Sequence, residues 1–335
     1  MLRFLARRAF FLGLIVVGAL MIVFLMAQFI PSDPARAALG PDASQEQVDQ
    51  YRREVGLDDP LWLQFVRYLG RLARGDLGVS IVTRNPVADD LRETVPATIE
   101  LVGPSIVLSF ALGIGLGAIS AVWRGRVADH TARLLSVLGM SLPVFWFGLV
   151  LQLVFYKYLG WLPAGGRLPF TAVPPETVTG LYTVDALVAG DWPGLREALR
   201  HLVLPVITLS MVSVAAIARI TRASLLDVLG RDYVRTARAK GLSEPVTTGK
   251  HALRNAMIPV VIVFGMRVGI MLGGAVLTES IFAWPGVGRY AFYGLRQLDL
   301  PVVSAFVVYV TLAYALVNVL VDASYSLLDP RIRTS

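Results

Sequence analysis

The chain has 335 residues, 55% of them hydrophobic and only 16% charged. Soluble domains carry about 25% charged residues, so the composition argues against a water-soluble globular protein and for a membrane one. There is no cysteine, which excludes disulfides, thiolate metal sites and cysteine nucleophiles.

The first apolar run is Ala9–Ile30, AFFLGLIVVGALMIVFLMAQFI, 22 residues with Gln28 as its one polar side chain. A bilayer core about 30 Å thick needs roughly 20 such residues in a helix. Arg3, Arg7 and Arg8 precede it as the basic region of a secretory signal would. But the run exceeds the roughly 7–15-residue apolar core of a signal, and no small-x-small cleavage site follows. A retained helix is expected, with residues 1–30 as N-terminus and first span.

Residues 31–96 are polar and form an expected external segment. Ser44-x-x-Gln47 reads as a capping box and Gly56 as a left-handed stop. Asp59-Pro60 reads as N-cap and N1 of a second short helix. Leu61, Phe65, Tyr68, Leu69 and Leu72 share one face of it, placing it on the membrane surface or on neighbouring helices. Five further apolar runs follow: Ala97–Trp123, Leu134–Phe155, His201–Ile220, Ile258–Leu277 and Pro301–Leu320. The expected fold is therefore an all-α polytopic membrane protein with six spans. GIGLGA, Gly113–Ala118, superficially resembles a dinucleotide loop. It lies inside an apolar run with no strand before it, so close helix packing is the expected use. Residues 156–200, with LPAGG and VPPET, form a loop broken by Pro and Gly.

Orientation follows from the basic residues. With the N-terminus cytoplasmic, the inside segments 1–8, 124–133, 221–257 and 321–335 carry 15 Lys and Arg in 70 residues. The outside segments 156–200 and 278–300 carry 6 in 68. Segment 31–96 is long enough that the positive-inside rule acts weakly on it. Both termini are expected in the cytoplasm, with residues 97–325 as a core of five spans and 326–335 as a tail. The net charge of +7 thus reads as topology. A nucleic-acid footprint would gather Lys and Arg on one soluble face, and no nucleic-acid partner is expected.

Enzyme signatures are missing. TTGKH lacks the upstream Gly and the Ser/Thr of a phosphate-binding loop. His130, His201 and His251 lie at loop or helix-end positions and form no H-E-x-x-H pair, so no catalytic residue and no metal site is expected. An intramembrane serine protease would need a Gly-flanked Ser and a His at membrane depth, and neither is present.

The fifth run carries more. Gly265, Gly269 and Gly273 recur every four residues, a small-residue stripe for close helix approach. Arg267 sits mid-span and, at 100° per residue, points roughly opposite the stripe. An Arg at the bilayer centre costs about 2.5–3.5 kcal/mol on insertion scales, so it should face protein or water. Two readings stay open: Arg267 lines a polar pathway, or it pairs with Asp322 or a partner chain. Glu279, Asp322 and Glu100 lie near span ends, where interfacial positions explain them. An ion-coupled transporter or channel using Arg267, Glu279 and Asp322 is the alternative function.

The long inside loop, 221–257, holds RTARAKGLSEP, Arg235–Pro245. It reads as helix, short helix, helix: Arg235–Lys240 helical, Gly241 a left-handed stop, Pro245 a restart. Small residues at Ala237, Ala239 and Gly241 make a knuckle that fits a narrow cleft on another protein. Arg235-Thr236-Ala237, three residues, then Gly241 matches the register of the cytoplasmic EAA loop. On that motif the chain resembles ABC importer permeases of the dipeptide, oligopeptide and nickel branch. Arg and Thr replace the Glu and first Ala, and Pro259 comes later than in sugar-importer permeases, departures usual in this branch. The likeness covers nearly the whole chain: MLRFLARRAF, GLDDPLWLQFVRYLGRLARGDLGVS (56–80), SLPVFWFGLVLQLVF (141–155), LGWLPAGG (159–166), TESIFAWPGVGRY (278–290) and LLDPRIR (327–333). Arg267 departs, since relatives carry an uncharged residue there.

The resemblance implies a type I ABC importer permease in the bacterial inner membrane, not itself an enzyme. It implies a second homologous permease subunit, two ABC ATPase subunits carrying ATP and Mg, and an external binding protein delivering di- or oligopeptides. This chain would bind no cofactor. Arg235, Thr236, Ala237, Arg238, Ala239, Lys240, Gly241, Leu242 and Ser243 would be the ATPase-coupling segment. With no nucleotide motif of its own, a chain that pumps must borrow its energy.

Overall fold

The computed structural model describes residues 2–28, 36, 39 and 43–328. Among them the regular elements are helical, as lipid requires: a helix satisfies its backbone N–H and C=O groups within its own segment. In chain order, α1 is Leu2–Gln28, α2 Gln45–Val55, α3 Leu61–Ala73, α4 Val87–Val122 and α5 Val127–Ser141. Then come α6 Val144–Leu151, α7 Tyr182–Val188, α8 Trp192–Leu229, α9 Asp232–Ala239 and α10 Glu244–Val246. The last three are α11 Arg254–Ile281, α12 Val287–Arg296 and α13 Leu300–Leu328. π-Helical turns at Gln152–Tyr158 and Thr247–Leu253 prolong α6 and join α10 to α11.

Among the described residues, four helices are long and apolar enough to cross a membrane: Val87–Val122, Trp192–Leu229, Glu244–Gly273 and Leu300–Val319. The run 134–155 departs from the single straight span expected. It is two helices, Val127–Ser141 and Val144–Tyr158, bent by 108°. Pro143 has no N–H to continue the ladder and pushes the residue before it out of the α region; Leu142 is extended, at φ −79 and ψ 130. Within α1, Phe10–Met26 is a shorter apolar helix, and the end of its run at Ile30 lies outside the described residues. Phe10, Leu14, Ile15, Ile22 and Met26 are each 60% exposed or more, a face that suits hydrocarbon and not water.

The chain divides into two compact units, residues 1–95 with 290–312 and residues 96–289 with 313–335. In the first, Ser44 and Gln47 form the expected reciprocal capping box on α2, and Gly56 closes it at φ 75. The expected N-cap at Asp59 moves by one residue: α3 starts at Leu61 behind Pro60 with no side-chain cap, because the Asp59 carboxylate is taken by Arg67. Phe65 and Tyr68 of α3 pack on Phe24 of α1, with ring centroids 5.4 and 6.0 Å apart. The core holds Val87, Val302 and Ala305, with Leu77, Leu91 and Tyr290 around them. Buried Asp299 orders the turn after Ser80, accepting from the Ser80 hydroxyl at 2.7 Å and the Ile81 N–H at 2.8 Å.

In the second unit, α8 is the central post. Asp191 caps it through the Gly194 N–H at 3.0 Å. Buried Ala97, Leu101, Leu202, Leu209, Met271 and Trp284 belong to its main cluster, and the Trp284 indole N–H donates to Ala97 O at 2.7 Å. Two of the three GIGLGA glycines, Gly113 and Gly117, serve packing, as expected, while a Cβ on Gly115 would meet nothing within 4 Å. A Cβ on Gly117 would stand 2.6 Å from the Ala218 carbonyl and from Thr221 Cβ; one on Gly113 would stand 2.6 Å from Ile217 Cβ. Gly139 of α5 and Gly148 of α6 approach α8 in the same way, at Ala215 and Thr208. His201 corrects the helix-end expectation. It lies inside α8, buried, with Nδ1 2.9 Å from the Gly165 carbonyl; because carbonyls only accept, that nitrogen carries the proton.

Candidate coupling segment

The stretch between α8 and α11 is polar and basic, yet it is rigidly built. Gly230 ends α8, Arg231 is extended, and Asp232 opens α9 with an acid in its first turn, where the helix dipole favours one. Two apolar residues three apart, Val234 and Ala237, face inward and are buried. Val234, wholly buried, joins a cluster with Ala121, Leu225, Ala252 and Ala256 from α4, α8, the π-turn and α11. Arg235, Thr236, Arg238, Ala239, Lys240, Gly241, Leu242 and Ser243 are all exposed.

The corner itself is made by Gly241 at φ +81, the left-handed region where a side chain costs energy. The Gly241 N–H donates to Arg238 O at 2.9 Å and the Leu242 N–H to Ala237 O at 3.3 Å, covering the last carbonyls of α9. Arg238 bridges the corner to Glu244, Nε to Oε1 at 2.8 Å. Ser243 is extended and Pro245 occupies the first turn of the next helix, so the chain restarts where the sequence marks it. The face so presented, Arg235–Ser243, has small side chains and cationic groups and no acid of its own, with Asp232 and Glu244 flanking it. It can dock into a cleft on an acidic surface; between Arg235 and Ser243 it has no His, Asp, Glu or Cys to serve as a catalytic base or metal ligand. Among the described residues no three His, Asp or Glu side chains gather to hold a metal.

The other candidates are not brought together with this segment. Arg267 is half-buried in α11 with no hydrogen bond or ion pair among the described residues. Asp322 falls on α13, but its side chain lies outside the described residues. Gly265 and Gly269 are buried and Gly273 is half-buried; a Cβ on Gly269 would collide with the Tyr314 ring, so that part of the stripe receives an aromatic side chain.

Glu279 is twelve residues beyond Arg267, about 18 Å along one helix at 1.5 Å per residue. It is wholly buried, accepting from the Thr98 hydroxyl at 2.7 Å and from the Arg289 N–H at 2.8 Å. Thr98 in turn accepts from the Val287 N–H at 2.8 Å. The two side chains cap the start of α12; a Cβ on Gly286 would meet the Glu279 carboxylate, and one on Gly288 would meet Val276 Cα at 2.8 Å before Glu279. Glu279 was expected at an interfacial span end, and on a relay with Arg267 and Asp322 only in the alternative function; here its oxygens are engaged in a cap at the start of α12.

Two buried ion pairs escape a linear reading. Arg167 meets Glu100 through Nε at 2.9 Å and Nη2 at 2.6 Å, with side chains 6% and 3% exposed. Its guanidinium lies 3.5 Å over the Tyr182 ring, and Thr183 donates to the other Glu100 oxygen at 2.7 Å. The span-end position expected for Glu100 is therefore a protein interior. The second pair is Asp129 with Arg222. For Glu100 the available signal was an acid in a mostly apolar stretch; Asp129 sits in the basic segment 124–133 and gave none, and both partners lie far along the chain.

Two family models match. Binding-protein-dependent transport system inner membrane component covers residues 113–334, and Binding-prot-dependent transport system membrane comp, N-term covers residues 1–102. The chain is 45% identical to the probable D,D-dipeptide transport system permease protein DdpB of Escherichia coli, over 98% of this chain and 96% of that one. It is 42% identical to the di/tripeptide transport system permease protein DppB of Pseudomonas aeruginosa, over 99% of both. With the dipeptide transport system permease protein DppB of Alkalihalophilus pseudofirmus the identity is 39%, over 99% and 100%. A solved structure of the MetNI methionine ABC transporter, inward facing, superposes with a TM-score of 0.54 over 71% of this chain and 96% of that chain, at 16% identity. It shares the fold.

Proposed function

The chain belongs to the binding-protein-dependent transport system inner membrane component family, a permease subunit of an ABC importer and not an enzyme, and from that premise we propose that its cargo is a di- or oligopeptide. The peptide reading is supported by relatives named for dipeptide and di/tripeptide transport at 39–45% identity. Peptides arrive from an external binding protein and cross between this chain and a second, homologous permease. Both termini are cytoplasmic, and two ATPase subunits below the membrane bind ATP and Mg.

In this reading Arg235–Ser243 is the segment an ATPase grips. The observation that carries it is the division of α9 into two faces: Val234 and Ala237 locked in the core, the basic and small residues outside. A docked ATPase closing on its partner pushes the outer face, and the inner face passes the push to α8 and α11. Arg267 lines the peptide path, a half-buried cation without a partner among the described residues.

The test is isolation of the tagged chain in mild detergent from its own host, after crosslinking, with mass spectrometry of what accompanies it, followed by uptake of radiolabelled dialanine by the reconstituted assembly. A second permease, two ATPases and ATP-dependent uptake are expected. A chain that purifies alone, with uptake following an ion gradient, refutes it.

A further inference from the structure

We propose that Asp129 is a positioning residue that ties the ATPase-driven segment to the bent helix pair α5–α6, so that motion of α9 is transmitted to the bend at Leu142–Pro143. This rests on α9 being the docking segment. The carboxylate is 2% exposed and gathers donors from three helices and a turn. Oδ1 accepts from the Ser120 hydroxyl of α4 at 2.6 Å and Arg222 Nε of α8 at 3.0 Å; Oδ2 accepts from Arg222 Nη2 at 3.1 Å and the Gly125 N–H at 2.9 Å. Arg133, one turn along α5, adds its Nε at 3.3 Å from Oδ1.

The position of this hub gives it a mechanical consequence. Ala121 follows Ser120 directly, and Leu225 stands one turn beyond Arg222. Both belong to the buried cluster that holds Val234 of α9. The seat of α9 and the Asp129 hub therefore share the same ends of α4 and α8. From the hub, α5 runs flush along α8, where a Cβ on Gly139 would stand 3.2 Å from Ala215 Cβ. It then breaks at Pro143 into α6 with the 108° bend. A push on α9 moves the α4, α5 and α8 ends as one wedge, and the missing N–H of Pro143 makes Leu142–Pro143 the joint about which α6 turns. The carboxylate is required as such: all five contacts donate to it, and an amide would turn an NH2 group against some of them.

The variant is Asp129→Asn in the full complex in proteoliposomes, with Gly241→Val in parallel, reading ATP hydrolysis, dialanine uptake and melting temperature. The expected result for Asp129→Asn is an assembled complex that still hydrolyses ATP while peptide taken up per ATP falls at least fivefold. Uptake per ATP unchanged in Asp129→Asn but lost in Gly241→Val overturns the tie and leaves the docking assignment standing. Uptake unchanged in both overturns the docking assignment. A lower yield and melting temperature with uptake per ATP intact shows a merely structural role and also overturns the tie.

Should Asp129→Asn fail to assemble, Arg222→Lys keeps the charge and loses the two-pronged contact. Because the chain has no cysteine, Asp232→Cys and Leu134→Cys take spin labels cleanly. The inter-label distance is expected to stay sharp with and without nucleotide in the parent and to broaden with Arg222→Lys. A distribution identical to the parent's refutes the tie.

Discussion

Replacing Gly241 separates the shape of the corner from its chemistry. No atom lies within 4 Å of a Cβ built on Gly241, so a larger side chain meets no obstacle; its whole cost comes from the backbone at φ +81. An ordinary L-residue pays about 1–2 kcal/mol in the left-handed region, and a β-branched one sits at the upper end. Nothing nearby offsets that. The Arg238–Glu244 bridge across the corner has side chains 41% and 64% exposed, and exposed pairs contribute about 0–1 kcal/mol. Gly241→Val should therefore shift the ratio of the native corner to its alternatives about 5–30-fold against the native corner while the buried anchor of Val234 leaves the rest of the fold in place. The assay is dialanine uptake per ATP hydrolysed in proteoliposomes, beside the melting temperature. Uptake per ATP should fall by up to that factor and the melting temperature by no more than a few degrees. Asn enters the left-handed region readily, so Gly241→Asn should recover most of the loss. Full uptake with Val, or equal losses with Val and Asn, would refute the backbone argument.

Three further outcomes follow from the geometry. Glu100→Gln leaves the Arg167 cation buried without its counter-charge, which costs about 3–5 kcal/mol; the double change Glu100→Gln with Arg167→Met should cost less than Glu100→Gln alone, measured by thermal unfolding in detergent. Gly117→Leu should abolish the folded yield, since α4 cannot clear the Ala218 carbonyl, whereas Gly103→Leu, with nothing within 4 Å of its Cβ, should express normally; equal yields would refute the packing argument. Arg267→Gln should keep the melting temperature, having no partner among the described residues to lose, and change peptide uptake. A clear drop in melting temperature with unchanged uptake per molecule would show a structural ion pair instead.

What was legible in the sequence was local or periodic. The Ser44–Gln47 box, the left-handed glycines at 56 and 241 and the restart at Pro245 are decided within a few residues by backbone sterics and one or two hydrogen bonds, so neighbours along the chain suffice to find them. Gly113 and Gly117 of GIGLGA announced close packing by their spacing, but not that α8 would fill the gap. The inward face of α9 was not legible: the small residues Ala237, Ala239 and Gly241 read alike as an outward knuckle, but Ala237 turns inward beside Val234 and is buried, which only the packing of α9 on its neighbours decides.

The sequence by itself thus determined an apolar, helical, membrane-spanning chain with a rigid basic corner, because hydropathy, helix period and turn chemistry are properties of short segments. Only the tertiary structure decided that Pro143 breaks the third run, since prolines at 96, 104, 205 and 259 stay inside helices. It alone decided that Glu279 caps α12 and that Glu100 and Asp129 find Arg167 and Arg222, 67 and 93 residues away. A buried charge must be paired, but the spacing of residues along the chain says nothing about which distant cation folding will bring to it.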